Sequence, residues 1–426
     1  MAFPYRVAML SFHTSPIAVL GGKETGGMNV YVRELSRHLA SRGLCVDIFT
    51  RSQSEHEPRI DGISERLPGA RVIHIPAGPR APHSKHRLVE YMNEFVEGVR
   101  AFAGEEKIEY DLLHAHYWLS GVAALELQAD WPGAPVVQMF HTLGAMKNRV
   151  AVGLADRETE RRVQAETELM QKVDRVVAST PRDLEQMVEL YGAPPERIAV
   201  IPPGVDTELF HSVPRLRAKE WIGSYNQKTV LFVGRIDPVK GLDNWFRAMR
   251  RVVEVEPLLR DRMCVCLVGG DVDDDEDPNS EMSRLDRLKD ELGIGDVVTF
   301  LGGRAQSSLP YYYSAADVVV MPSRYESFGL AALEAMACGT PVVASDVGGL
   351  SFVVRDGETG FLVPEGDVER LAQCILAILL DPPLRERMSE RAVEVAQDYA
   401  WPVIADKMLG LYAEVRSGKQ VLHDLG

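Results

Sequence analysis

Apolar residues along the chain fall into two alternating registers. Short runs rich in Val, Ile and Leu occupy residues 5–10, 46–50, 71–75, 111–114, 136–140 and 175–179. Between them lie longer stretches whose apolar positions return at helical spacing, such as Val30, Leu35 and Leu39 after Gly26-Gly27, closed by Gly43. The runs predict buried strands and the periodic stretches predict helices packed by one face. Ile201-Pro202-Pro203-Gly204-Val205 reads as punctuation. The alternation then restarts, with strands expected at 229–233, 264–268, 297–301, 318–321, 341–344 and 360–363. Strand and helix in turn imply a parallel, doubly wound sheet. The expectation is an α/β chain of two Rossmann-like domains, residues 1–203 and 204–400. A last helix, about 401–426, is free to pack on either. Ligands of such sheets bind beyond the carboxyl ends of the strands, so two facing edges make an interdomain cleft.

Composition narrows the class. The chain has 426 residues, 46% hydrophobic and 26% charged, which suits two or three soluble domains. Apolar runs such as residues 318–321 fall far short of the ~20 residues of a membrane span. Residues 1–20 lack the basic start and apolar core of a secretory signal, and the five scattered Cys include no Cys-x2-Cys pair. These features predict a reduced, cytoplasmic protein with no structural metal. The net charge of −15 disfavours nucleic acid or anionic lipid as the main partner. Residues 1–203 hold 23 Lys and Arg against 26 Asp and Glu, a balance of −3, so the remainder carries −12. The first half therefore keeps many cations in a nearly neutral segment.

Three segments carry candidate chemistry. Gly21-Gly22-Lys23-Glu24-Thr25-Gly26-Gly27 lies between a strand and a helix, where glycines let backbone N–H groups approach an anion. Its spacing is not that of a dinucleotide fingerprint. Gly234-Arg235-Ile236-Asp237-Pro238-Val239-Lys240-Gly241 places two cations at a strand's carboxyl end, where they suit a diphosphate. Glu326-Ser327-Phe328-Gly329-Leu330 continues to Glu334, with Glu326 in a loop and Glu334 expected two turns into the following helix. Carboxylates accept paired hydrogen bonds from vicinal hydroxyls, so sugar and ribose are natural ligands. The acidic run from Asp271 to Asp277 reads as a solvated loop, since it lacks the Gly and distal Glu of a calcium loop.

These motifs, with Thr340-Pro341-Val342-Val343-Ala344, resemble those of the retaining glycosyltransferases of family 4, which have the GT-B fold of two facing Rossmann-like domains. The resemblance runs over essentially the whole chain. It implies that Arg235 and Lys240 bind the diphosphate of a UDP-sugar donor and offset charge on the leaving nucleotide. It further implies that Glu334 holds the ribose, that Glu326 contacts the donor sugar, and that Arg304 lies near the base. Gly26, Gly27, Phe328, Gly329 and Leu330 complete the donor site. His141, at a strand's carboxyl end, is placed to touch the sugar. Such enzymes generally require no metal or cofactor, and a homodimer is common among them.

The N-terminal half is similar to family members that act on inositol phosphate. The stretches that carry this are His13-Thr14-Ser15-Pro16, Gly26-Gly27-Met28-Asn29-Val30-Tyr31, Ala77-Gly78-Pro79, His116-Tyr117-Trp118-Leu119-Ser120-Gly121, His141-Thr142-Leu143 and Lys147-Asn148. By this resemblance Lys85, Tyr117, Thr142 and Arg162 grip a phosphorylated small acceptor, with Arg161 the adjacent alternative, and Asn29 helps hold the inositol. A phosphate dianion wants two cations plus hydroxyl donors, which this set supplies. Arg80-Ala81-Pro82-His83 also resembles sucrose-phosphate synthases, whose acceptor is fructose 6-phosphate. A lipid or polysaccharide acceptor would call for a basic amphipathic helix, and none is evident. A non-catalytic binding protein or an epimerase fits the paired motifs less well.

Overall fold

A computed structural model of the chain describes residues 5–18, 26–61, 69–85, 87–151, 157–224, 227–270 and 280–418. The Gly21–Thr25 part of the first glycine loop, the acidic run from Asp271 to Asp277 and the end of the last expected helix lie outside the described residues. Two sheets form. The first contains β1 (Arg6–Leu10), β2 (Cys45–Arg51), β3 (Ile60–Asp61), β4 (Ala70–Ile75), β5 (Leu112–His116), β6 (Val136–Met139), β7 (Arg175–Ala178) and β8 (Ile198–Val200). Their order is β3-β4-β2-β1-β5-β6-β7-β8. Every pairing is parallel except that of β3 with β4. The second contains β9 (Lys228–Val233), β10 (Met263–Val268), β11 (Val298–Phe300), β12 (Val318–Met321), β13 (Val342–Ser345) and β14 (Gly360–Val363). Its order is β11-β10-β9-β12-β13-β14, parallel throughout.

Both sheets are doubly wound. Strand order reverses between β1 and β5 in the first and between β9 and β12 in the second. These switch points are where such sheets open a crevice for ligand. The strand sequences explain the burial on both faces. In β9 and β12, Val230, Leu231, Phe232, Val318, Val319 and Val320 alternate between two cores but are all fully buried, as covered parallel strands require.

The helix Trp401–Ser417 returns to the first sheet. Trp401, Ile404, Ala405, Met408, Leu411 and Tyr412 join Val7, Met9, Val46 and Ile48 in one buried cluster. Each fully buried large side chain there is worth roughly 1.5–3 kcal/mol. The chain thus passes between the two sheets twice. The two passages lie side by side, with Val205 N–H donating to Tyr399 O at 2.8 Å and Trp401 N–H to Val205 O at 3.2 Å. Among the described residues no helix is long and apolar enough to cross a membrane. The five cysteines are all free thiols.

Candidate functional site

The second sheet presents its chemistry on the loops after β9 and β12. Asp237 caps the turn Pro238–Lys240 by accepting from Val239 N–H at 3.0 Å. Gly241 follows with φ of 64° and lies so close to Pro322 O that a Cβ would approach it to 2.1 Å. Only glycine allows that contact, which joins the two loops. Arg324 reinforces the junction. Its guanidinium grips both oxygens of Asp243 at 2.9 Å and donates to Pro238 O. Lys240 Nζ is thereby held 2.5 Å from Glu326 Oε2, both side chains being 14% exposed. Arg235 is more open and lies 3.9 Å from Asp237.

The helix Leu330–Ala337 begins at Gly329, and Glu334 sits one turn into it rather than two. Tyr313 O–H donates to Glu334 at 2.8 Å. Burial raises the Glu334 carboxyl to about 7, against the Tyr313 hydrogen bond and the nearby charge of Arg33, which lower it. Glu334 and Leu330 line a pocket with Val30, Arg33 and Gln306, so both halves of the chain form it. Arg33 Nη2 donates to Gln306 Oε1 at 2.8 Å across that boundary. A Cβ on Gly27 would lie 2.9 Å from Leu330 Cδ1. The starts of the helices Gly27–Ala40 and Leu330–Ala337 therefore converge, and their free N–H groups make a positive end for an anion. Arg304 is exposed, with Nε donating to Tyr312 Oη at 2.9 Å.

The first sheet contributes from the loops after β1, β5 and β6. Tyr117 and His141 hold φ of 72° and 61°. A side chain other than glycine in this region costs about 1–3 kcal/mol and persists only where its surroundings over-determine it. Both residues sit at strand ends facing the cleft. His116 Nδ1 and His141 Nε2 are 2.9 Å apart, and Tyr31 lies edge-on to both rings. Burial pushes His141 down to about 3, so it is a neutral imidazole at ordinary pH. His141, Thr142 and Asp183 line a groove with Tyr325 and Ser327 of the opposite half.

A cation cluster adjoins this groove. Arg162 lies in the first turn of the helix Glu160–Lys172 and is 1% exposed. Its Nε meets Glu166 Oε1 at 2.7 Å and its Nη2 donates to Thr142 O at 2.6 Å and Thr142 Oγ1 at 3.0 Å. Its guanidinium covers the Tyr117 ring at 4.7 Å, and the His13 ring packs 4.4 Å from that of Tyr117. Burial, with Lys85, His141 and Arg162 adding to it, pushes His13 down to about 3. Lys85 and Lys147 complete the cluster around the carboxylate of Glu158.

Four of the residues expected to hold the acceptor are thus brought together: Lys85, Tyr117, Thr142 and Arg162. Arg161 is exposed, because the helix turns its neighbour, not it, toward the core. Asn29 is 1% exposed and spent internally. Its Nδ2 donates to Thr14 Oγ1 and Ser15 O, both at 2.7 Å, and its Oδ1 accepts from Gly26 N–H at 2.9 Å. These bonds order the loop after β1. The Phe328 ring is likewise committed to the core, 6.0 Å from Tyr399, which leaves its backbone for any ligand. Glu158, Lys147, Arg324 and the His116–Tyr31 packing are additions that the motifs did not assign. Glu158 was detectable only as the residue four before Arg162.

Comparison with known proteins agrees with this architecture. The family described as Glycosyltransferase Family 4 matches residues 25–209, and Glycosyl transferases group 1 matches residues 218–395. The D-inositol 3-phosphate glycosyltransferase of Kribbella flavida is 42% identical over 412 residues, 96% of this chain and 95% of its own. That of Saccharomonospora viridis is 41% identical over 97% of this chain and 94% of its own. Among solved structures, sucrose-phosphate synthase from Thermosynechococcus elongatus superposes with a TM-score of 0.87 at 35% identity, covering 97% of this chain and 100% of that one. Anabaena HepE, solved with UDP-glucose, shares the fold at a TM-score of 0.73 and 21% identity, over 96% of this chain and 99% of that one. Two facing Rossmann-like domains, matched family regions and relatives this similar over their full length place the chain in the family 4 glycosyltransferases of GT-B fold.

Proposed function

We propose that the enzyme moves glucose or N-acetylglucosamine from a UDP-sugar to a small phosphorylated acceptor such as inositol phosphate, with retention of configuration. The observation that carries this reading is the cluster of Arg162, Lys85 and Lys147 beside Thr142. Three cations and a hydroxyl at the end of β6 suit a phosphate monoester. The names of the relatives support it.

On the donor side, Lys240, Arg235 and the converging helix starts hold the diphosphate. Glu334 takes the ribose hydroxyls, Glu326 meets the sugar, and Arg304 lies toward the base. As the anomeric bond loosens, Lys240 and Arg235 stabilise charge on the departing diphosphate, which is electrostatic catalysis. A departing phosphate oxygen accepts the proton of the attacking acceptor hydroxyl. Attack and departure then share one face, and configuration is kept without a side-chain nucleophile. Neutral His141 offers its ring to the donor sugar without adding a competing charge. No metal is assigned a role, since the two cations supply the charge.

Nucleotide release from UDP-glucose, UDP-N-acetylglucosamine and GDP-mannose tests the reading, each donor being offered inositol phosphate, fructose 6-phosphate and their dephosphorylated forms. Release that requires the acceptor's phosphate is expected. Equal release without it refutes the acceptor assignment. The likeness to sucrose-phosphate synthase favours fructose 6-phosphate as the second candidate, and the same matrix separates the two.

A further inference from the structure

The cation cluster already holds an anion belonging to the chain. Glu158 is 7% exposed, and its Oε1 alone lies 3.2 Å from Lys85 Nζ, 2.8 Å from Lys147 Nζ and 2.9 Å from Arg162 Nη1. Burial raises its carboxyl, but Arg162, Lys147 and Lys85 outweigh burial and hold it at about 2. Glu166, on the other side of Arg162, is fixed differently. It accepts from Gly144 N–H at 2.9 Å and from Tyr191 O–H at 2.5 Å as well as from Arg162. Among the described residues, the Glu158 carboxylate is held by the three cations. Its main chain is pinned separately, N–H to Asn148 Oδ1 at 2.7 Å and O from Asn148 Nδ2 at 3.2 Å. Displacing the side chain would therefore leave these main-chain bonds intact.

A second observation points to a ligand. Arg162 Nη1 is buried and makes no hydrogen bond among the described residues, although Glu158 lies in contact with it. Glu158 accepts hydrogen bonds from Lys85 Nζ and Lys147 Nζ but meets only the charge, not the donor direction, of Arg162 Nη1. Three cations against Glu158 and Glu166 leave +1. A bound phosphate dianion would make that −1 with Glu158 in place and 0 with Glu158 gone. We infer that Glu158 is the resident counter-anion of the acceptor-phosphate site, displaced when the phosphate arrives, and that this exchange limits how much the phosphate adds to acceptor affinity. The inference rests on the acceptor class proposed above.

The test compares calorimetric affinities of inositol phosphate and inositol for the whole enzyme, wild type and Glu158→Gln, with Glu158→Asp as a milder second variant. The phosphate increment is the ratio of the two affinities. Glu158→Gln is expected to raise it about ten-fold, the weight of one partly screened charge contact, and Glu158→Asp to raise it less. A wild-type increment that Glu158→Gln leaves unchanged or lowers overturns the inference while the acceptor reading stands. No wild-type increment but a clear one in Glu158→Gln overturns the inference, because the wild-type carboxylate is then not displaced by the phosphate. No increment in either overturns both. If Glu158→Gln fails to fold, the Glu158→Asp increment decides by the same sign.

Discussion

Lys240→Ala removes the cation that the proposed function sets against the departing diphosphate. The ammonium sits 2.5 Å from Glu326 and is 14% exposed, so a phosphate oxygen entering this site meets a poorly hydrated charge. At about 3 Å and an effective dielectric near 20, Coulomb's law gives about 5 kcal/mol for such a contact before desolvation is subtracted. Losing one preorganised donor at a developing anion typically costs about 3–4 kcal/mol, or 10²–10³ in kcat. We expect kcat to fall by that factor at saturating donor. Lys240→Arg should recover part of it, because charge is kept and position is not.

The same substitution strands Glu326 beside the leaving group, which is why the paired experiment matters. Glu326→Gln alone should lower kcat, and in the Lys240→Ala background it should lower it less, or not at all. A double-mutant cycle on kcat, with melting temperatures as a fold control, reads this coupling, expected at about 0.5–3 kcal/mol. A Lys240→Ala enzyme that turns over within three-fold of wild type, at unchanged stability, refutes the electrostatic role. Strict additivity refutes the idea that the ion pair acts as a unit.

Lys85→Ala should raise the KM of a phosphorylated acceptor by about 10–100-fold, the range for a charged hydrogen bond, with kcat nearly unchanged; an unchanged KM removes Lys85 from the site. Glu334 has a folded pKa raised from 4.5 to about 7 by burial, so the sign runs opposite to that of a salt-bridged carboxylate. Its neutral form suits the fold below 4.5, and stability is lost as pH rises from there through about 7. Melting temperatures of wild type should therefore fall relative to Glu334→Gln between pH 5 and 8, while donor KM in the wild type improves toward high pH as the carboxylate forms; a pH profile identical in the two proteins refutes both. Trp401→Ala should destabilise the enzyme by about 3–5 kcal/mol, since Trp401 is 1% exposed where the chain recrosses beside Gly204; thermal unfolding checks it.

Most of the two sheets was legible because parallel strands covered on both faces must be continuously apolar. The strands that escaped explain themselves. Ile198–Val200 is a three-residue edge strand running straight into Pro202-Pro203-Gly204, and Ile60–Asp61 is too short for any period. Lys85, Tyr117 and Thr142 were reached only through the family resemblance, and the structure gathers them around Arg162 and Glu158. The site blurred where a residue's partner decides its role. An asparagine after paired glycines suits a ligand or a loop equally, and its bonds to Thr14, Ser15 and Gly26 were not visible in the sequence. Helical phase chooses between Arg161 and Arg162. Arg162, Glu166, Leu169 and Met170 form the buried face of Glu160–Lys172, and Leu169 and Met170 alone would have placed Arg162 on it. Glu158 had no such signal, because an acidic residue before a helix usually serves the helix.

The two halves of the cleft solve one physical problem in the same way. Under the proposed function each must hold cations ready for a phosphate in a chain of net charge −15, and each pairs them with a glutamate meanwhile. Lys240 meets Glu326 on the donor side, and Arg162, Lys85 and Lys147 meet Glu158 on the acceptor side. Bare buried cations would lose several kcal/mol of hydration each, and they would bind any passing polyanion. A glutamate at contact distance keeps the cations buried and oriented, and makes binding an exchange of anions instead of a simple neutralisation. Affinity is then lower than the count of cations suggests. What is gained is discrimination, since a ligand must offer more oxygens in better directions than one carboxylate does. Among anions, a phosphate monoester and a diphosphate both do so, and a single carboxylate does not.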